Sequence, residues 1–485
     1  MASATQIRPI KSKLTTALLA TTFSVLALSG CSQEKSTAEK GSETSAEVAK
    51  SESTNNAAET ADQEAVTKLL TSYSNIAQAA YEDSLSEAKR LQAAIDAYVA
   101  NPTTASLDAA KAAYKLARQP YSQTEVFRFD EGFVSANDAR KIESVDGWEG
   151  QVNAWPLDEA LIDYVSESYA GEYDSKDNII NADSITVGSI QQDTKVITPE
   201  LLAEMNEIGG SEANVTTGYH AIEFLLWGQD TNGVGEGAGN RPFTDYKTDS
   251  NCTSGEGNSS DPAICTKRGE YLKAAAQLLV NDLSDMVEQW QPDSENTLRS
   301  DLMARSGDNA IRQIFYQMGS LALGELASER MQVAFVTGST EDEHECFSDL
   351  THLSYAENAH GISNVFRGQY KTVSGQTVGD YGIKQFLIDA GQQEAADQLE
   401  AEFEKVAASF DMIVQKGEEE GIKVDQMIAT VGQAEQLGIS AEEQNERRAW
   451  IESAINDLKT LTDSIEIAAK SIGIDNLDAD TGSQF

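Results

Sequence analysis

The stretch Gly218-Tyr219-His220-Ala221-Ile222-Glu223-Phe224-Leu225-Leu226-Trp227-Gly228-Gln229-Asp230 decides how the rest of the chain is read. Projected at about 100° per residue, Val215, Tyr219, Ile222 and Leu226 fall in one narrow arc. Ala221, Phe224 and Leu225 cover most of the opposite side. The spacing predicts a helix that ends near Gly228 and is apolar almost all round, the pattern of a buried helix. His220, Glu223 and Trp227 share one flank, with His220 and Glu223 one turn apart. A carboxylate buried without a partner either destabilises the fold or takes up a proton. Two readings satisfy it. In one, His220 is a hydrogen-bonded core residue and Glu223 pairs with an arginine of a neighbouring helix. In the other, imidazole and carboxylate are ligands of a first-row metal ion.

Upstream, Gly209-Gly210 stops a helix that starts at Thr198-Pro199-Glu200, where a capping hydroxyl precedes proline in the first turn. Residues 165–197 carry β-branched residues and turn formers, so a short hairpin is expected there. From Gln63 the chain reads helix after helix. Val66, Leu69, Leu70, Tyr73, Ile76 and Ala80 keep helical spacing, as do Leu85, Ala88, Leu91, Ile95 and Tyr98 up to Asn101-Pro102. Ser106–Arg118 is Ala-rich, with Pro120 expected to interrupt it, and Leu157–Tyr164 reads as helix. Beyond the central stretch, 229–268 is a Gly-rich loop of a length that is more often functional or lid-like than accidental. Long helices are expected over 268–290, 309–335, 383–416 and 441–471. His360-Gly361-Ile362 with Gly368-Gln369 echoes His220-Ala221-Ile222 with Gly228-Gln229 at equal spacing. These patterns predict an all-α protein of two related helical bundles, residues 63–235 and 269–485, joined by the loop 236–268. The echo replaces Glu223 by Ser363, so any site is asymmetric.

The chemistry available is narrow. The chain has 4 histidines: His220, His344, His352 and His360. Neither His-Glu-x-x-His nor His-x-x-Glu-His occurs, because Phe224 follows Glu223 where the inverted motif needs histidine. A catalytic zinc takes three protein ligands and a base, and His220 with Glu223 supplies two ligands at most. No Gly-x-Ser-x-Gly elbow, phosphate loop or dinucleotide fingerprint is present. Oxygen-rich sites with one or two imidazoles suit iron better. Further candidate ligands are Glu125, Asp158, Asp349 and His352, with Arg128 expected to pair with a carboxylate, and Trp155, Trp227 and Gly218 to support the site. For each, a structural ion pair or core packing is the competing reading. The run Glu341-Asp342-Glu343-His344-Glu345 has the composition of a solvated face, with an iron-gathering patch as the alternative reading. Haem ligation by one of the histidines, on a scaffold that captures a partner, is a third class.

Gly218-x-His220-x-x-Glu223 followed by Trp227-Gly228-Gln229-Asp230 resembles the signature of the imelysin family, also known as M75 peptidases. Ala117-Arg118-Gln119-Pro120-Tyr121, Thr124–Phe129, Asn153–Asp158 and Phe347–His352 resemble blocks of its iron-regulated protein A branch. The resemblance covers roughly residues 63 to 470. It implies a two-bundle helical body with the His220 helix near the bundle interface, and a metal, iron foremost, at His220 and Glu223 in the service of iron acquisition or handling. The alternative it carries is a metallopeptidase with Glu223 as the catalytic residue.

The N-terminus reads as targeting sequence. Arg8, Lys11 and Lys13 precede an apolar run from Leu14 to Leu28, too short to span a membrane comfortably. Leu28-Ser29-Gly30-Cys31 resembles a bacterial lipobox, which makes residues 1–30 a lipoprotein signal peptide and Cys31 the acylated residue. Ser32 after the cysteine points to the outer membrane. Residues 31–62, acidic and poor in large apolar side chains, read as a flexible tether. The net charge of −43 argues against nucleic acid as a partner; the partners expected are a metal ion, the lipid anchor and an envelope iron-transport protein. Of the remaining cysteines, Cys252 and Cys265 bracket a Ser/Gly/Asn-rich segment and are expected to form a disulfide in an exported protein. Cys346 is left as a buried thiol or as a partner for one of them.

Overall fold

A computed structural model describes residues 45–128 and 144–477, apart from 168, 170, 172, 174, 236, 256–259 and 476, with side chains from residue 63 onward. The expected signal peptide and Cys31 lie outside the described residues. Residues 57–485 form one compact unit. The first helix is α1 (Ser45–Ala100). It starts inside the stretch expected as a tether, where Ala, Glu and Lys favour helix by propensity alone.

The chain then runs through α2 (Thr104–Thr124), α3 (Val145–Val152), α4 (Glu159–Ile162), the hairpin β1 (Ser184–Val187) and β2 (Ile190–Asp193), α5 (Pro199–Met205), α6 (Gly218–Trp227) and α7 (Pro262–Trp290). After them come α8 (Leu298–Ala304), α9 (Gly307–Gly319), a π-helical segment Ser320–Gln332, α10 (Val333–Thr337) and α11 (Thr351–Arg367). A second small hairpin, β3 (Tyr370–Lys371) and β4 (Thr377–Val378), precedes α12 (Ile383–Asp389), α13 (Gln393–Glu419), α14 (Val424–Ile428), α15 (Val431–Gln436) and α16 (Ala441–Ser471). Both hairpins are antiparallel; in the first, Ser184 faces Asp193 and Val187 faces Ile190. The fold is all-α in substance. Elements of the two sequence halves pack directly on each other: α11 lies against both α2 and α13, α16 against α13 and the π segment, and α6 against α2 and α7.

Several local expectations change. Pro120 stays inside α2 rather than ending it. The bond it removes would have gone to the carbonyl of Leu116, a residue on the exposed face of α2. The helix expected over 383–416 is two helices, broken around Gly391, whose φ is +77°. Only Glu159–Ile162 of the stretch 157–164 is helical. The helix expected over 309–335 changes to i→i+5 bonding at Ser320, which puts Glu325 and Arg330 on successive turns, and they ion-pair at 3.0 Å.

The central helix α6 is buried at every position. It begins where the chain passes close to another backbone: Gly218 has φ +74°, and a Cβ there would stand 2.3 Å from the Val152 carbonyl oxygen. Only glycine tolerates both conditions. Its C-terminal carbonyls find donors in the loop that follows. Tyr246 OH donates to Leu225 O at 2.6 Å, and Arg241 N–H donates to Trp227 O at 2.7 Å. That loop is tied down on its other side by the Cys252–Cys265 disulfide. Asp163 joins it through Arg268 at 2.7 and 2.9 Å and Arg241 at 2.6 Å. Cys346 is a free, buried thiol.

Candidate metal centre

The i, i+3 spacing on α6 does what the helix geometry requires. His220 Nδ1 lies 3.1 Å from Glu223 Oε2, and both side chains are fully buried. The carboxylate is held from three further directions. Ser348 donates to Oε1 through its N–H at 2.9 Å and its hydroxyl at 2.6 Å, and Tyr114 OH donates to Oε2 at 3.3 Å. With Glu223 ionised, Nδ1 of His220 carries the hydrogen, and Nε2 is left as a bare lone pair. Among the described residues, no hydrogen-bond partner reaches that Nε2. Glutamate thus orients the imidazole, the arrangement in which a metal-binding histidine is usually held.

Two aromatic rings close over His220. Trp155 stands 4.9 Å away, centroid to centroid, and the imidazole of His344 also stands at 4.9 Å, with its plane turned by 75°. His344 Nδ1 is likewise without a partner and buried. Behind them Arg118 donates from Nε to Glu345 Oε1 at 2.6 Å and from Nη1 to Asn153 Oδ1 at 2.7 Å. The second oxygen of Glu345 is a further buried atom without a partner. Burial, with the Arg118 guanidinium adding to it, pushes His220 down to about 3. Burial and then the Arg330 charge push His344 well below the usual imidazole range. Burial pushes Glu223 up to about 7 against the hydrogen bonds of Ser348. Both imidazoles are therefore neutral at ordinary pH, the form that ligates metal. A cleft of about 480 Å³ is lined by Trp155, Pro156 and His344 together with Arg128, Glu325 and Arg330.

The other sequence candidates are engaged elsewhere. Glu125 accepts from Arg330 at 2.6 Å and Asn358 at 3.0 Å and pairs with Arg128. Burial opposes its charge, but Arg330 and Arg128 hold it down to about 2. Asp158 caps α4 and takes Tyr173 N–H at 2.7 Å and Tyr169 OH at 3.0 Å. His352 meets Glu418 at 2.8 Å on the α11–α13 side. Asp349 is buried with φ +56°, its carboxyl raised to about 7 by burial and by Asp230. Trp227 packs on Tyr114, 5.3 Å between ring centroids. Among the described residues, no group of three or more His, Cys, Asp or Glu side chains is arranged to hold a metal ion.

Sequence reading missed His344, Glu345, Ser348 and Tyr114. The first two lie in the acidic run expected to be a solvated face. Instead, Glu343, His344 and Glu345 are all buried. The available signal was the apolar pair Cys346-Phe347 that follows at once, since Phe347 packs on Trp155 and Phe224 and draws the run inward.

The imelysin (peptidase M75) family profile matches residues 77–465. The chain belongs to the imelysin family. Its fold is similar to that of an imelysin-like protein from Psychrobacter arcticum, at 14% identity and a TM-score of 0.51, covering 86% of this chain and 97% of that one. A protein described as an iron-regulated protein A precursor, from Parabacteroides distasonis, aligns at 12% identity and a TM-score of 0.49, over 83% and 95% of the two chains. No curated protein matches the sequence. The Gly218-x-His220-x-x-Glu223 stretch falls inside the matched family region. Among the described residues, no helix is long and apolar enough to cross a membrane.

Proposed function

We propose that this imelysin-family protein binds a first-row metal ion, iron foremost, at a buried site built on His220 and His344, and serves iron handling at the cell envelope as a lipoprotein anchored through Cys31. The observation that carries the reading is the pair of imidazoles in edge-to-face contact, each neutral and each with a buried nitrogen that has no partner among the described residues. Orphaned buried polar atoms are costly. Two imidazole lone pairs beside the Glu223 and Glu345 carboxylates form a nitrogen and oxygen donor set of the kind that suits iron. His220 and His344 would hold the ion, Glu223 fixes the His220 ring, and Arg118 balances the carboxylate charge. Because no ready-made cage of three such side chains stands among the described residues, loading is expected to draw the side chains together.

The test is metal analysis and calorimetry on the purified protein beside His220→Ala and His344→Ala. Each variant is expected to weaken iron binding by at least about tenfold while the helical spectrum is kept. Unchanged affinity in both variants would place the metal elsewhere. Peptide cleavage that disappears in Glu223→Gln, with no metal bound at these histidines, would establish the peptidase alternative.

A further inference from the structure

A second cleft, about 590 Å³ in volume, shares Trp155 and Pro156 with the first in its lining. Its lining includes Asp158, Glu159, Asp230, Glu341 and Asp342 and, among the described residues, no lysine or arginine. Such a concentration of like charge is by itself only a solvated acidic surface. Glu159 makes it more than that. Its side chain is 2% exposed, and its Oε2 has no hydrogen-bond partner. The neighbouring acids are partly satisfied: Asp158 by Tyr169 OH and Tyr173 N–H, Asp230 by Asn232 N–H at 2.8 Å, Asp342 by the Thr337 hydroxyl at 2.9 Å. Glu159 thus brings to the lining of a small-molecule-sized, acidic cleft a carboxyl group with one buried oxygen that has no partner among the described residues, and burial and then the charges of Glu341 and Asp158 hold that carboxyl well above the usual range.

We propose that this cleft is a binding site for an organic cation carrying an alkylammonium group. Three observations select that class. The volume lies in the range of small-molecule sites, far beyond what one bare ion fills. No three of the acids are arranged as metal ligands, whereas an ammonium group donates up to three hydrogen bonds without requiring a coordination polyhedron. Trp155, Tyr169, Leu157 and Pro156 line the same cleft, offering aromatic faces to a cation and apolar surface to the carbon chain behind it. The Glu159 oxygen supplies the buried acceptor, and Asp230 and Glu341 line the same cleft. The site uses none of the atoms assigned to metal, so it stands or falls independently of that reading.

The experiment is calorimetric titration of the purified protein with putrescine, a short aliphatic diamine, in buffer of moderate ionic strength. Wild type is expected to bind saturably at one site. Glu159→Gln and Asp230→Asn, singly and together, are expected to weaken binding, by about tenfold or more in the double variant. Neither change removes a hydrogen bond that holds the fold, and each relieves the burial of an acid, so melting temperature should not fall below the wild-type value. His220→Ala should bind putrescine as wild type does. Non-saturating heat, or equal affinity in the double variant, would overturn the proposal, because both describe diffuse attraction to an acidic protein. Calcium ion binding that depends on Glu159, with putrescine inert, would also overturn it.

Discussion

The helices that carry His220 and His360 hold the same contact in two different environments. In each, an imidazole Nδ1 lies 3.1 Å from a glutamate Oε2 three residues away. In each, a glycine close to the histidine presses against a foreign backbone: a Cβ would stand 2.3 Å from Val152 O at Gly218 and 2.6 Å from Gln123 O at Gly361. They part in solvent access. His220 and Glu223 are sealed, whereas the His360 side chain is 50% exposed. The consequence is a reversal of protonation behaviour. Burial drives His220 down to about 3, while the hydrogen bond to Glu357 raises His360 above the ordinary 6.5. A His–Glu distance therefore says little about charge; the dielectric around it decides.

The largest effect expected from this contrast is in proton affinity. With 4 histidines in the chain, their ring resonances can be followed individually by NMR. His360 should titrate with a midpoint above 6.5, and His220 should remain neutral until the pH approaches about 3. The stability consequences have opposite signs. The folded His220 refuses a proton that the unfolded chain accepts, so its contribution is present above about pH 6.5 and is lost as pH falls toward 3. The folded His360 holds its proton more tightly, so its contribution is present below 6.5 and is lost as pH rises through its raised value. Glu223, raised to about 7, takes its proton before the unfolded chain does, so stability falls as pH rises from 4.5 to 7. It thereby masks His220 over that interval. Glu223→Gln should unmask the acid sensitivity of His220 between pH 4.5 and 6.5, read as a steeper fall of the denaturation midpoint. A His220 resonance that titrates near 6.5 would mean water reaches the pair.

A smaller effect separates the two glutamates. Glu223→Ala strands two donors of Ser348, the Tyr114 hydroxyl and the His220 ring in a dry site, and should destabilise by about 3 kcal/mol. Glu357→Ala loses a half-solvated contact and one bond from Gln123 at 2.7 Å, and should change stability by less than about 1 kcal/mol. Urea denaturation of the two variants side by side checks the ratio, and equal losses would erase the distinction.

The smallest difference lies between the glycines. Gly218→Ala meets both a positive φ and a carbonyl, for about 3 kcal/mol; Gly361→Ala, in regular helix, meets only the carbonyl, for about 2 kcal/mol. Denaturant midpoints at constant slope would show the gap, and a milder loss at Gly218 than at Gly361 would mean that α3 moves aside.

Much of the scaffold was legible in local pattern. Apolar spacing announced both ends of α16 and the end of α7, which starts at Pro262, earlier than the expected 268; Thr198-Pro199 announced the start of α5, whose Thr198 hydroxyl accepts from Leu201 N–H. Pattern failed where a position is read against a distant neighbour. Pro120 continues a helix, and the carbonyl it leaves without its helical donor belongs to Leu116, on the exposed face of α2. Gly391 splits a helix whose apolar stripe continues on both sides of it, because α12 and α13 pack against each other.

The same division runs through the site. The sequence by itself determined that His220 and Glu223 are neighbours, because i, i+3 adjacency on a helix is local geometry, and that the helix around them is buried, because it has no polar face. Only the tertiary structure decided that the partners of Glu223 are Tyr114 and Ser348, more than one hundred residues away on either side, and that His344 leaves an acidic run to face His220. An acidic run stays in water unless another part of the chain offsets its desolvation. Here Arg118, from α2, does so for Glu345, and the packing of Phe347 carries the segment inward. Neither can be read from the run itself, because both terms belong to elements that the sequence places far from it.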